Sequence, residues 1–98
     1  MLVRIVKMKF KKESIDQFVQ VFEEYKDQIR NAPGCTHLRL LQGTDDPSIF
    51  STFSHWENAE SLYNYRHSST FKEVWPLTKA LFDAKPEAWS FEEKYHLD

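Results

Sequence analysis

The chain has 98 residues, and because an independent hydrophobic core usually needs more than half of that length, we expect a single domain over residues 1–98. Thirteen Lys and Arg against fifteen Asp and Glu give a formal net charge of -2 without a long run of like charge, which argues against the basic face of a nucleic-acid-binding protein. Aromatic residues make up 15% of the chain, so some rings are expected to line a pocket or an interface.

The first two predicted elements are a strand and a long amphipathic helix. Residues 2–10 are apolar on both alternations, which is typical of a strand that is covered on both faces for much of its length. Ser14 and Gln17 form a capping-box pattern, and apolar residues recur behind it at helical spacing. The sequence therefore predicts a helix over residues 15–31, which the turn at Pro33-Gly34 ends.

A hairpin, two helices and a final strand complete the predicted fold. Residues 35–42 and 49–56 are separated by a run of turn-forming residues and predict two antiparallel strands. The remaining elements are a helix that begins at Glu57 or Asn58, a break at 67–70, a helix over 69–83 and a strand over 88–94. Pro76 lies inside the third helix, where it is tolerated in the first or second turn or at a kink.

This order of elements is that of the ferredoxin-like α+β fold, βαββαβ, with a four-stranded antiparallel sheet. Helices cover one face of such a sheet and leave the other face open. The two-sided apolar pattern of residues 2–10, with Trp56 or His55 on the third strand and Trp89 or Phe91 on the fourth, makes contact of that face with water unfavourable. We therefore expect a homodimer in which two sheets pack face to face.

The chain has no glycine-rich phosphate loop, no CxxC and no HExxH, and two glycines are too few for a dinucleotide-binding fingerprint. His37, His55, His67 and His96 are scattered rather than spaced for one helix, so no metal site is expected. His37 and His55 lie on adjacent predicted strands. They either meet as a cross-strand pair or are two half-buried strand histidines, and the second interpretation is favoured.

Cys35 is the only cysteine, which excludes an intramolecular disulfide and is typical of a reducing compartment. Nothing nearby is arranged to lower its pKa, so we expect a small buried residue rather than a nucleophile. No segment approaches the length of a membrane span, and the N-terminal residues lack the apolar core of a signal peptide. The expected location is cytoplasmic, without a membrane partner.

The segment from residue 55 to residue 75 places polar side chains among aromatic rings. Such a mixture is typical of a pocket for a flat, partly polar organic molecule. In the alternative interpretation, which has equal weight, Trp56 and Phe71 are core anchors while Arg66 and His67 face solvent. The candidate polar groups are Asn64, Tyr65, Arg66 and His67, and the candidate rings are Trp56, Phe71, Trp75 and Phe53.

The strand-terminal Trp56, the following Asn-Ala-Glu-Ser-Leu and the Ser-Ser-Thr-Phe before the third helix resemble the antibiotic biosynthesis monooxygenase (ABM) family of dimeric α/β barrels. The element order, the Pro33-Gly34 turn and the chain length also fit. The resemblance implies a homodimer of ferredoxin-like protomers, each with a pocket between its helices and its sheet. Some members of the family oxidise phenolic or quinol-type substrates with molecular oxygen and without a metal or flavin cofactor.

Carried onto this chain, the resemblance implies that Tyr65, His67 and Asn64 position or deprotonate the substrate. It implies that an aromatic set with Arg66 encloses the substrate: Trp56, Phe71, Trp75 and Phe53. Many relatives have His at the positions of Tyr65 and Thr70. The haem-degrading branch of the fold uses Asn, Trp and His where this chain has Val6, Tyr65 and Trp75, so its route to iron ligation is lost.

The function predicted from the sequence is a cofactor-independent monooxygenase that acts on a small aromatic or quinol-like compound. The main alternative is a non-catalytic ligand-binding or stress-response dimer, because the same barrel serves such roles and a fold does not fix a function. A regulatory subunit that docks through an exposed aromatic surface is a third interpretation.

Overall fold

The computed structural model describes residues 1–98 and contains four strands and three α-helices, as predicted. The elements are β1 (Leu2–Lys9), α1 (Ile15–Arg30), β2 (Cys35–Gln42), β3 (Ile49–Trp56), α2 (Ala59–Arg66), α3 (Ser69–Lys79) and β4 (Glu87–Glu92). The predicted bounds of β2 and β3 agree with the structure. No helix of the chain is both long and apolar enough to serve as a membrane span.

The four strands form one antiparallel sheet in the order β2-β3-β1-β4, which is the ferredoxin-like arrangement. β1 is central between β3 and β4, and Val6 lies opposite Thr52 on one side and Ala88 on the other. Because side chains alternate along a strand, Arg4, Val6 and Met8 all project toward the helices. The odd-numbered side chains of β1 project to the opposite face of the sheet, which we call the open face.

The capping box predicted at the start of α1 is not formed. A single 3-10 turn over Lys12–Ser14 precedes the helix, and Ser14 has helical backbone angles, so its hydroxyl makes no capping hydrogen bond. The two short helices are capped instead. Asn58 Oδ1 accepts from the backbone N–H of Ser61 at 2.8 Å, and Ser68 Oγ accepts from that of Phe71 at 3.2 Å. The Ser68 cap lies at the break between α2 and α3 and starts the new helix there.

The third helix ends at Lys79, four residues before the predicted end. The chain beyond it leaves the helix to pair with the end of β1: the N–H of Asp83 donates to the carbonyl of Lys9 at 2.8 Å, and that of Lys11 donates to Leu81 at 3.1 Å. Pro76 ends the second turn of α3, as predicted for a tolerated proline. Tertiary backbone pairing therefore overrides the helical pattern of residues 80–83.

Two hydrophobic clusters lie between the helices and the sheet, one toward each end. The larger cluster consists of Met8, Phe10, Phe18, Phe50 and Leu81. Its rings are in direct contact: the centroids of Phe10 and Phe18 are 4.0 Å apart, and those of Phe18 and Phe50 are 5.1 Å apart. The smaller cluster consists of Cys35, Trp56 and Leu62. Cys35 is a free, buried cysteine whose pKa is raised by burial, which confirms the structural interpretation of this residue.

The open face of the sheet carries large apolar side chains that no helix of the chain covers. Trp89 is 41% exposed and Phe91 is 51% exposed, and both lie on β4 beside β1. In register with them are Ile5 and Val3 on β1 and then Phe53 and His55 on β3. A contiguous apolar strip therefore crosses three strands.

Replacing Phe10 with Ala is expected to destabilise the fold by about 3–5 kcal/mol, because a ring that is 1% exposed leaves a cavity between three other rings. Urea denaturation followed by circular dichroism measures the change. Leu77→Ala is the matched control, since that side chain is 46% exposed and its loss should cost less than about 1 kcal/mol. An equal loss for both variants would contradict this description of the core.

Candidate functional site

A cavity of about 260 Å³ lies between the sheet and the helices. Its floor is formed by the helix-facing side chains of the strands, including Val6, Thr52 and Ala88, and it reaches both hydrophobic clusters. Fourteen of its twenty lining residues are hydrophobic. The volume is slightly below the range of about 300–1,000 Å³ that is usual for drug-sized ligands, so it suits a molecule of one or two rings.

Four aromatic side chains form a continuous wall of this cavity. Trp56 stacks on Tyr65 with ring centroids 5.1 Å apart, and Tyr65 meets the edge of Phe71 at 5.4 Å. Phe71 in turn stacks on Trp75 at 5.6 Å. Trp56 is 1% exposed, and its indole N–H donates to the hydroxyl of Ser54 at 2.9 Å, which fixes the ring. The wall joins the end of β3 to α2 and α3.

Tyr65 is the phenol of this wall, and burial raises its pKa well above the usual range, with Cys35 as a smaller cause. The hydroxyl therefore stays protonated at neutral pH and can donate a hydrogen bond, but it cannot accept a proton from a substrate as a base. The backbone carbonyl of Tyr65 accepts from Ser68 Oγ at 2.6 Å, while the phenol has no partner within the chain. Its donor is free for a molecule in the cavity.

Two arginines are the only charged residues that line the cavity, Arg4 on β1 and Arg66 at the end of α2. Arg4 Nη1 donates to Ser90 Oγ on β4 at 2.9 Å. Burial and then the nearby charge of Arg66 lower the pKa of Arg4. A guanidinium remains protonated at neutral pH despite such a shift, so the cavity is positively charged.

The structure does not bring Asn64 and His67 into the cavity, which corrects the expectation that they share it with Tyr65. Leu62, Tyr65 and Arg66 are spaced by three and four residues and share one face of α2, so Asn64 lies on the exposed face. His67 follows the helix, where its Nδ1 lies 2.8 Å from the carbonyl of Tyr63 and the two rings are 4.1 Å apart. Both side chains are exposed to solvent.

Phe53 also lies outside the cavity, because it occupies an odd-numbered position of β3 and therefore projects from the open face. Its ring contacts those of His37, at 6.0 Å, and His55, at 5.2 Å. His37 and His55 stand directly opposite each other with ring centroids 4.9 Å apart. They are both half-buried and a cross-strand pair, so the two interpretations that the sequence left open are not exclusive.

The remaining predicted site residues, Trp56, Tyr65, Arg66, Phe71 and Trp75, all line the cavity, and their roles in binding stay predictions. Trp56 is also a buried core residue and Arg66 is exposed to solvent, as the alternative interpretation expected. Sequence reasoning missed Arg4. A signal was present, because Arg4 is the one charged residue at an even-numbered position of β1 between Leu2 and Met8. The even-numbered residues of β1 lie on the same face of the sheet as Phe10, which is 1% exposed.

The fold and this cavity together define a ferredoxin-like α+β protein with a small, positively charged aromatic cavity between its helices and its sheet. The family model described as antibiotic biosynthesis monooxygenase matches residues 1–75. The chain therefore belongs to the antibiotic biosynthesis monooxygenase family. Among curated proteins, none matches the sequence.

Solved structures share the fold over nearly the whole chain. A conserved protein from Methanosarcina mazei Go1 is 24% identical, with a TM-score of 0.89 over 96% of this chain and 94% of that one. SnoaB from Streptomyces nogalater, a cofactor-independent oxygenase crystallised as a point mutant, is 16% identical, with a TM-score of 0.87 over 98% of this chain and 95% of its own. At these identities the likeness establishes the fold alone.

The raised pKa of Tyr65 can be tested by a spectrophotometric titration of tyrosinate absorbance near 295 nm. Below about pH 10 the phenol is neutral in both the folded and the unfolded state. As the pH rises further, an unfolded chain loses this proton while the folded chain keeps it, so the stability of the fold falls. The wild type and Tyr65→Phe should therefore show the same increase in absorbance up to the pH of unfolding, because the variant removes a tyrosine that does not ionise in the folded protein.

A smaller increase in absorbance for Tyr65→Phe than for the wild type near pH 10 would contradict the raised pKa of Tyr65. Tyr63→Phe is the control, because it removes an exposed phenol.

Proposed function

We propose that this protein is a cofactor-independent monooxygenase that oxidises a small aromatic or quinol-like compound in the cavity between its helices and its sheet. Membership of the antibiotic biosynthesis monooxygenase family supports this class of reaction. The observation that carries the proposal is the composition of the cavity, which is lined by apolar rings, one neutral phenol donor and two guanidinium groups, of which Arg66 is exposed to solvent. Such a cavity holds a flat molecule and stabilises negative charge on its oxygen atoms.

Each lining side chain has a distinct proposed task. Trp56, Phe71 and Trp75 contact the faces and edges of the substrate rings and exclude water around them. Tyr65 donates a hydrogen bond to a substrate oxygen, and Arg66 stabilises the charge that develops there. No histidine or carboxylate lines the cavity, so the proton of an ionising substrate hydroxyl passes to water.

The reaction draws its electrons from the substrate, whose ionised form is electron-rich enough to react with dioxygen. For naphthalene-1,4-diol, one oxygen atom enters a ring C–H position and gives 2-hydroxy-1,4-naphthoquinone. The other oxygen atom leaves as water with two hydrogens of the substrate. The diol is oxidised and dioxygen is reduced, so the balance needs no further reductant.

Oxygen uptake with naphthalene-1,4-diol is expected to exceed the spontaneous rate, and mass spectrometry with ¹⁸O₂ should find one labelled oxygen atom in the product. Tyr65→Phe should lower kcat by roughly ten- to a hundredfold, because one hydrogen bond to the developing charge is lost. His67→Ala is the matched variant on the solvent side of α2 and should retain wild-type kcat. Uptake no faster than the spontaneous rate would contradict the proposal, while loss of activity in His67→Ala would restore the role that the sequence predicted for this residue.

One observation favours the alternative function, a ligand-binding protein without turnover. The cavity lining holds no group that can accept a proton at neutral pH, since Tyr65 is held neutral and both arginines are already protonated. A protein of this kind would bind the diol tightly and release it unchanged. Tight binding without labelled product therefore identifies the alternative.

We further propose that the protein is a homodimer in which the open faces of two sheets pack together. Trp89, Phe91 and Leu41 are each more than two-fifths exposed on this face, and Phe53 and Ile5 lie between them. Side chains of this size rarely form a contiguous exposed patch on a stable monomer. A second copy supplies a surface of the same shape and character, as a twofold interface requires.

Sedimentation velocity is expected to give a dimer at micromolar concentration, and Phe53→Glu is expected to give a monomer. The substitution places a carboxylate at the centre of the apolar strip, where a dimer would have to desolvate it. Leu77→Glu, on an exposed position of α3, should leave the dimer intact. A wild-type chain that sediments as a monomer would contradict this arrangement.

A further inference from the structure

We propose that the natural ligand of the cavity is an anion, a small planar aromatic acid whose oxyanion binds between Arg4 and Arg66. The two arginines are then the residues that determine specificity, by selecting ligands with a carboxylate or an acidic hydroxyl. This inference rests on the proposed function for the location of the site, but it does not depend on oxygen chemistry.

The charge of the cavity lining is positive. Arg4 and Arg66 are its only charged members, and no Asp or Glu contributes a side chain. Neither guanidinium forms an ion pair elsewhere, since the five ion pairs of the chain involve Lys9, Lys26, Lys94 and His96. Two positive charges therefore line the cavity without a negative partner from the protein, Arg4 half-buried and Arg66 exposed to solvent.

The two arginines belong to different layers of the fold. Arg4 projects from the centre of the sheet, and Arg66 projects from the last turn of α2, so they reach the cavity from its two different layers. Burial and, to a smaller extent, the charge of Arg66 lower the pKa of Arg4. Like charges that line one cavity repel each other, and an anion between them converts the repulsion into attraction.

The cavity lining also offers hydrogen-bond donors to an anion. Tyr65 offers a phenol that burial keeps protonated, and Ser90 Oγ holds one nitrogen of Arg4 at 2.9 Å, leaving its other N–H groups free to donate. Guanidinium groups bind carboxylates through two parallel hydrogen bonds, and a charge-assisted hydrogen bond is about twice as strong as a neutral one. A cation would gain none of this, and a neutral amide would gain only the weaker hydrogen bonds to its carbonyl oxygen.

The same pair explains how a weakly acidic substrate could ionise where no base lines the cavity. Two nearby positive charges favour the ionised form of a bound hydroxyl and lower its pKa. A carboxylate is already ionised at neutral pH and needs no such help. Both kinds of ligand carry an oxygen anion on an aromatic ring system. The probes below distinguish a carboxylate from an ionised hydroxyl.

Isothermal titration calorimetry with 2-naphthoate and 2-naphthamide at neutral pH tests the inference, because the two probes have nearly the same shape and differ in charge. The wild type should bind the naphthoate at least about tenfold more tightly. Arg4→Gln should lower the affinity for naphthoate by about tenfold and leave the affinity for naphthamide unchanged. Arg66→Gln should act in the same direction, which keeps the test valid if one variant does not fold.

Lys72→Gln is the control, since Lys72 is an exposed cation on α3 that does not line the cavity. It should change neither affinity. A third probe, 2-naphthol, shows whether the bound anion is an ionised hydroxyl or a carboxylate. A lower pKa of the bound naphthol in the wild type than in Arg4→Gln identifies an ionised hydroxyl as a ligand, and tight binding of naphthoate alone identifies a carboxylate.

Equal affinity of the wild type for naphthoate and naphthamide would overturn the inference, as would the absence of binding by either probe. An equal loss of both affinities in Arg4→Gln would also overturn it, because the residue would then act through packing rather than charge. If naphthoate is preferred and the diol still consumes no oxygen above the spontaneous rate, the monooxygenase proposal fails while the anion selectivity stands.

Discussion

The alternation of side chains along β1 is the constraint on which the rest of the structure depends. This strand is central in the sheet, and helices cover one of its two faces. Its even-numbered residues close the core through Met8 and bound the cavity through Val6 and Arg4. Its odd-numbered residues form the middle of the open face. A shift of one residue in its register would exchange these two surfaces and remove the cavity and the apolar strip together.

The cavity exists because the core is divided. Aromatic side chains fill one end around Phe10 and Phe18, and Trp56 anchors the other end against α2. Between them the sheet presents small residues, Thr52 and Ser54, which leave space under the helices. The break between α2 and α3 then brings Tyr65 and Phe71 into contact across that space. Packing at both ends thus holds open a region that would otherwise be filled.

The sequence predicted the fold more completely than the site. Strand boundaries in the hairpin were correct because turn-forming residues flank both strands. Of the two predicted starts of α2, Glu57 and Asn58, the second is its N-cap. The end of α3 was wrong, since residues 80–83 keep a helical pattern but pair with the end of β1. The capping box at Ser14 was also wrong, because a 3-10 turn gives that residue helical backbone angles before α1 begins.

Within the site, the rings were easier to place than the polar groups. Trp56, Phe71 and Trp75 line the cavity as predicted, whereas Phe53 does not, because its odd-numbered position in β3 turns it to the open face. Asn64 and His67 are small polar residues on a short helix, and a rotation of one residue decides whether they face the cavity or solvent. Arg4 was missed because a lone charge on a predicted strand is normally read as solvent-exposed. Only its even-numbered position in β1, which places it on the same face as the buried Met8, indicated that it points toward the helices.

The most direct test of this account is a crystal structure of the protein with 2-naphthoate bound. The account predicts that the naphthalene rings lie along the wall formed by Trp56, Tyr65, Phe71 and Trp75, with the carboxylate within hydrogen-bonding distance of Arg4. A ligand bound instead on the open face, against Phe53 and Trp89, would contradict the assignment of the cavity as the functional site.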